Sequence, residues 1–176
     1  NVEIIEGDIL KWEVPPIDVI VANLPYSISS PILFRLFNYE WTRAVLMFQE
    51  EFANRLVAKP GSKIYGRLSV MANHFVSTTK LFKVSKTAFQ PQPKIHSQVV
   101  KLIRREPDYN LDDFYTFEKV VRSIFTHRRK KIRNCIKMTF PGIDVGKLKY
   151  MDLRAEILTP SEIAELSNSI YAIKSE

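Results

Sequence analysis

Cysteine occurs once in the 176 residues, at Cys135. A lone thiol excludes an internal disulfide and predicts a reducing, cytoplasmic setting. The three histidines, His74, His96 and His127, stand far apart with no cysteine at ligand spacing, so no metal site is expected. There are five glycines, none in a G-x-G-x-x-G arrangement. The glycine-rich turn that opens a doubly wound nucleotide-binding sheet is therefore missing. No run of eighteen apolar residues occurs, which leaves no candidate membrane span. The first residues lack the basic, apolar and small-residue succession of a signal peptide.

What is present is a hydrophobic fraction of 45%, enough for one core, or for one core and a smaller second one. The net charge is +7 and is unevenly placed. Residues 101–150 hold thirteen Lys or Arg against six Asp or Glu, and the rest of the chain balances. A surplus confined to one segment points to a polyanionic partner, nucleic acid before an anionic membrane. A solvated basic helix surface is the alternative.

Along the chain, VEII (2–5) reads as a short strand and EGD as a turn. IDVIVAN (17–23) and RAVLMFQ (43–49) read as buried strands. SSPILFRLFN (29–38) predicts a helix capped by Ser29 or Ser30, with Pro31 in its first turn. Residues 50–58 and 67–75 predict helices around the loop KPGSKIYG (59–66). Strands are expected at 80–85 and 98–104, joined by the proline-punctuated AFQPQPKIHS (88–97). This alternation predicts an α/β sheet, mostly parallel with an antiparallel end. It opens directly on a strand and an acidic turn, as if N-terminally incomplete. Beyond Pro107 the pattern turns helical and basic over 111–138. A last helix starts at Thr159-Pro160-Ser161-Glu162 and buries a stripe of Ile163, Leu166 and Ile170. Two domains follow, 1–106 and 107–176.

The segment VIVANLPY (19–26) carries the chemistry. Ligands sit at the carboxyl ends of strands in open α/β sheets, and Asn23 stands at such an end. Pro25 fixes the backbone and donates nothing, which leaves the Leu24 carbonyl open to a cavity. Asn23 offers a second acceptor, and Tyr26 a flat ring. Two acceptors and a ring suit a planar group bearing an amine, such as adenine N6. That lone pair is delocalised into the ring, and pulling on both hydrogens frees it for attack. A strand that merely ends in an Asn-capped proline turn reads equally well from four residues.

The stretch resembles the target-amine motif of adenine N6 methyltransferases, Asn/Asp/Ser-x-Pro-aromatic. The match extends in order through EGDIL (6–10), VIVANLPYSISSPILFRL (19–36), QEEFANRL (49–56), AKPGSKIYGRLSV (58–70), FQPQPKIHSQVV (89–100), FTHRRKKIRN (125–134) and LRAEILTPSEIAEL (153–166). Together these resemble the KsgA-type small-subunit rRNA dimethyladenosine transferases over nearly the whole chain. Leu24 and YGRLSV favour that branch over the related Erm enzymes, and EEFANRL suggests an archaeal relative.

The resemblance implies a Rossmann-like class I methyltransferase sheet followed by a small helical domain. It implies S-adenosylmethionine as cofactor, with Asp8, Ile9 and Asn23 at its adenine. It gives Asn23, Leu24 and Pro25 the target amine, and Tyr26 and Phe89 the two faces of the flipped base. Phe89 read alone is as well explained as a core aromatic. The implied substrate is a pair of adjacent adenosines near the 3′ end of small-subunit rRNA, each dimethylated at N6, on an immature small ribosomal subunit. Arg122, Arg128, Arg129, Lys130, Lys131 and Arg133 are implied to grip rRNA phosphates, which positions RNA without reading sequence. A monomer is expected. The glycine-rich turn and ribose-binding acid of the family have no counterpart here, so weak cofactor binding by residues 1–176 is expected. Two alternatives remain: a non-catalytic ribosome assembly factor, and a DNA adenine methyltransferase, which FQPQPK and the helical tail disfavour.

Overall fold

The computed structural model describes residues 2–175. They form two compact units, one of residues up to Ala53 with Phe75–Arg104, the other of Asn54–His74 with residues from Arg105 onward.

The first unit is built on a four-stranded sheet of order β1-β2-β4-β3. β1 is Val19–Asn23, β2 Arg43–Gln49, β3 Val76–Val84 and β4 Ser97–Arg104. β1 pairs with β2 in parallel, whereas β4 is antiparallel to both β2 and β3. The sheet is thus less parallel than the alternation predicts, because β3 and β4 are joined by a short turn rather than a crossover helix. On β2 the alternate residues Ala44, Leu46 and Phe48 are fully buried, as are Val100 and Leu102 on β4. Helix α1, Ser29–Leu36, buries Ile32, Leu33 and Leu36. Phe37 stacks on Phe75 with ring centroids 4.7 Å apart, and Arg104 donates to the Phe37 carbonyl at 2.9 Å.

Three local expectations are overturned here. Residues 2–5 form no strand; Val2 and Ile4 are about nine-tenths exposed, and no neighbouring strand accepts their backbone. β1 is not a buried strand but an edge, with Val19 and Val21 exposed. A short apolar run looks alike in either place. Neither Ser29 nor Ser30 caps α1. The cap is Ile28, without a side-chain bond, and the buried Ser29 hydroxyl has no hydrogen-bond partner among the described residues. A 3-10 turn at Tyr26–Ile28 leads straight into α1, so Tyr26 O accepts from Ser29 N–H and Pro25 O from Ile28 N–H. That leaves a hydroxyl cap little to do.

Helices α2, Glu50–Leu56, and α3, Arg67–Phe75, lie where the sequence places them. The second unit packs α4, Phe114–Thr126, against α5, Ile132–Thr139, and α6, Pro160–Ser175. Its core includes Phe117, Val120, Val121, Ile124, Ile132, Ile136, Ile163 and Ile170, all fully buried. The capping box expected at α6 is formed: Glu162 N–H donates to Thr159 Oγ1 at 3.2 Å, and Thr159 N–H to Glu162 Oε2 at 2.7 Å. The helical, basic pattern expected over 111–138 is formed as two helices, separated at His127–Lys131. Four successive cations, Arg128 to Lys131, repel one another in a helical turn. Outside it, the first amides of α5 find other acceptors: Ile132 N–H donates to Leu153 O at 2.9 Å and Arg133 N–H to Met151 O at 3.0 Å. Among the described residues no helix is long and apolar enough to cross a membrane.

Candidate active site

The strand directions assemble the site. β1 and β2 run in parallel, so Asn23, paired with Met47, stands at their common carboxyl end. β4 runs the other way, and its first residue, Ser97, pairs with Gln49 at that same end. The loop leading into β4 therefore returns to the exit of β1. A cavity of about 300 Å³ opens there, lined by Asn23, Leu24, Pro25, Tyr26, Phe89, Pro91 and Pro93.

Asn23 is exposed where it lines the cavity, and its carboxamide makes no hydrogen bond among the described residues. Leu24 is buried, and no backbone donor among the described residues reaches its carbonyl. Two acceptors thus stand open beside the cavity, as Pro25 requires. Tyr26 is half-buried, and its hydroxyl shares a 2.5 Å hydrogen bond with the fully buried Ser97. One end of the ring is thereby tied to β4, and the residue lines the cavity. Phe89 is half-buried in extended backbone, and Pro91 and Pro93 stiffen the wall it belongs to. Ser97, which holds the Tyr26 hydroxyl, is not among the residues singled out from the sequence. Its only signal is its place at the end of the FQPQPKIHS loop.

Asp8 and Ile9 are not among the residues that line this cavity. Asp8 is exposed and shapes its own turn: Oδ1 accepts from Leu10 N–H at 2.9 Å, and its carbonyl accepts from Lys11 and Trp12 N–H. Oδ2 lies 3.8 Å from Lys11 Nζ. The turn is anchored to α1, since Arg35 donates to the Trp12 carbonyl at 2.7 Å.

The basic residues are divided. Arg128 donates from Nε and Nη2 to Glu156 at 3.2 and 3.0 Å. Lys131 and Arg133 both donate to Asp152, at 3.1 and 2.5 Å. Lys130 Nζ lies 3.6 Å from Met138 Sδ. Arg122 and Arg129 have no acid partner among the described residues. The Lys131 hydrogen bond, helped by the charge of Arg133, holds the Asp152 carboxyl below its usual range. A depressed carboxylate contributes stability above its unfolded value, near pH 4, that is lost as pH falls through the folded value. Thermal melts between pH 7 and pH 3 should therefore show a falling midpoint below about pH 4. Asp152→Asn should lower the midpoint at pH 7 more than at pH 3. An equal loss at both would refute the assignment.

The sequence profile of the ribosomal RNA adenine dimethylase family matches residues 1–173. The chain belongs to that family. A probable ribosomal RNA small subunit methyltransferase A from Methanosarcina acetivorans is 42% identical over 99% of this chain and 68% of that protein. One from Thermococcus kodakarensis is 44% identical over 88% of this chain and 54% of that protein. A dimethyladenosine transferase structure from Plasmodium falciparum superposes with a TM-score of 0.83 at 28% identity, covering 97% of this chain and 72% of that one. The 23S rRNA methyltransferase ErmE shares the fold, with a TM-score of 0.68 at 23% identity over 96% of this chain and 72% of that one. The Rossmann-like class I fold is thereby established for this rRNA adenine dimethylase family member.

Methyltransferases of the ribosomal RNA adenine dimethylase family use S-adenosylmethionine. The residues here suit its adenine edge in donor chemistry. Asp8 presents an exposed carboxylate of fixed turn geometry as an acceptor, and Ile9 adds a half-buried apolar surface next to it.

Proposed function

We propose that this protein dimethylates N6 of two adjacent adenosines near the 3′ end of small-subunit rRNA. The observation that carries the reading is the cavity at the end of β1, which two unengaged acceptors, at Asn23 and Leu24, line together with the rings of Tyr26 and Phe89. A flipped adenine would lie between the rings, with its amine toward the acceptors. Unstacking costs a few kcal/mol, and least in a single-stranded loop.

When bound, S-adenosylmethionine supplies an electrophilic methyl on a sulfonium sulfur, and Asp8 and Ile9 would hold its adenine. Asn23 Oδ1 and the Leu24 carbonyl accept the two amine hydrogens, which pyramidalises N6 and exposes its lone pair. That lone pair would take the methyl that the bound cofactor supplies, in place of the methyl's bond to sulfur. The nitrogen becomes cationic and its proton acidic, so no strong base is required. The two acceptors act on charge that develops in the transition state. The Tyr26–Ser97 bond holds the ring in place, which is a positioning contribution.

Residues 1–106 are assigned to the chemistry and 107–176 to rRNA. Arg122, Arg129 and Lys130 would position phosphates directly, while Arg128, Lys131 and Arg133 would trade their carboxylate partners for them, since surface ion pairs contribute little. The proposal extends to a monomer acting in the cytoplasm on an immature small subunit.

The test incubates the protein with labelled S-adenosylmethionine and small subunits lacking the modification, then digests the RNA to nucleosides. Label is expected in N6,N6-dimethyladenosine from the 3′ region. Salt-sensitive particle binding without label would favour the assembly-factor reading instead.

A further inference from the structure

A second cavity, of about 390 Å³, opens within the helical unit. Helix α4 contributes Tyr115, Lys119, Arg122 and Thr126 at three- to four-residue spacing, so they share one helix face. Thr139, at the end of α5, closes the other side. The wall between them is fixed: the Ser123 hydroxyl donates to the Cys135 carbonyl at 3.1 Å and bonds the Thr139 hydroxyl at 2.6 Å.

The charge of this cavity is one-sided. Its one acid, Glu118, is paired with Arg67 at 3.0 Å, whereas Lys119 and Arg122 have no acid partner among the described residues. Lys119 Nζ lies 5.0 Å from the centre of the Phe140 ring, which orients the ammonium without neutralising it. The contrast with Arg128, Lys131 and Arg133, each held by a carboxylate, is direct. At the rim, Tyr115 is 69% exposed. The volume falls at the small end of ligand sites, the range that a single nucleotide fills.

We infer that this cavity is a subsite for one unpaired nucleotide of RNA, with a backbone phosphate against Lys119 and Arg122 and the base on the Tyr115 ring. Two unneutralised cations suit a phosphate, and stacking on an aromatic ring tolerates any base. The inference rests on the rRNA-modifying reading above and adds a second anchor, outside the catalytic cavity, that grips a flanking strand.

The test is equilibrium binding of a labelled, unstructured RNA of about twelve nucleotides to the full chain as a function of salt. Lys119→Gln and Arg122→Gln should each reduce the slope of log affinity against log salt by about 0.7. Tyr115→Ala should weaken binding about tenfold and leave the slope unchanged. Lys137→Gln, an exposed cation on α5 outside the cavity, serves as control for nonspecific charge. Thermal melts confirm that each variant is folded. If the three cavity variants bind like the parent, or if Lys137→Gln changes the slope as much as Lys119→Gln and Arg122→Gln do, the subsite is overturned while the rRNA reading stands. If the parent itself does not bind RNA, both fall. Loss of adenosine 5′-monophosphate binding in Arg122→Gln with RNA binding intact would make the cavity a free-nucleotide site, and would equally overturn the proposal.

Discussion

Asn23→Ala is expected to lower methyl transfer by at least about a hundredfold while leaving rRNA binding unchanged. The side chain is exposed where it lines the β1 cavity and makes no hydrogen bond within the described protein, so its removal leaves the fold alone. What it removes is one of two acceptors aimed at the amine. The remaining Leu24 carbonyl binds one hydrogen, and N6 stays closer to planar, with its lone pair in the ring. The loss should fall on kcat more than on KM, because the acceptor acts on charge absent from the ground state. Asn23→Asp keeps an acceptor at the same place and should retain more activity than the alanine variant. Single-turnover transfer on unmodified small subunits measures both. Parent-like turnover in Asn23→Ala, with its thermal midpoint unchanged, would remove the assigned role and leave Asn23 as the end of a strand.

Phe117→Ala carries the largest stability effect, about 3–5 kcal/mol. Phe117 is fully buried in the first turn of α4. Around it stand the rings of His74, Tyr109 and Phe114, with centroids at 5.2, 6.2 and 6.5 Å. His74 Nδ1 and the Tyr109 hydroxyl are hydrogen-bonded at 3.0 Å, which fixes two of these walls. Walls pinned by a polar bond cannot collapse freely into the space that the ring leaves. The cavity cost therefore adds to the lost transfer energy, and the edge contacts between rings are lost as well. The thermal midpoint should fall by about 10 °C or more. Phe117→Leu, which keeps most of the volume, should lose much less. A midpoint within a degree of the parent would show that the cluster repacks and that its rings are not tightly held.

Local signals were legible where one short stretch carries the whole cause. RAVLMFQ reads as a buried strand over the residues that form β2, and RLSVMANHF matches α3. Thr159 and Glu162 bond as a capping box because both partners lie within one turn. The failures share a cause as well. Whether IDVIVAN is an edge or a centre depends on neighbours that the stretch does not contain. Ser29 lost its cap to a 3-10 turn whose carbonyls did the same work. Where the basic stretch divides into α4 and α5 was likewise set from a distant segment, by the acceptors that Leu153 and Met151 offer.

By itself, the sequence determined the chemistry available: an Asn-Leu-Pro-Tyr exit from a strand, a basic second half, and a family resemblance strong enough to name the reaction. Those are properties of residue type and order, and folding does not change them. The tertiary structure decided what meets what. Tyr26 reaches Ser97 across 71 positions, and Phe89 joins Asn23, because β4 runs antiparallel and starts where β1 ends. It also decided which cations are engaged: Glu156 and Asp152 hold Arg128, Lys131 and Arg133, while Lys119 and Arg122 stay without a carboxylate. Counting charges along the chain cannot separate the two groups, because an ion pair is set by distance in space and falls off within a few ångströms of solvent-screened separation.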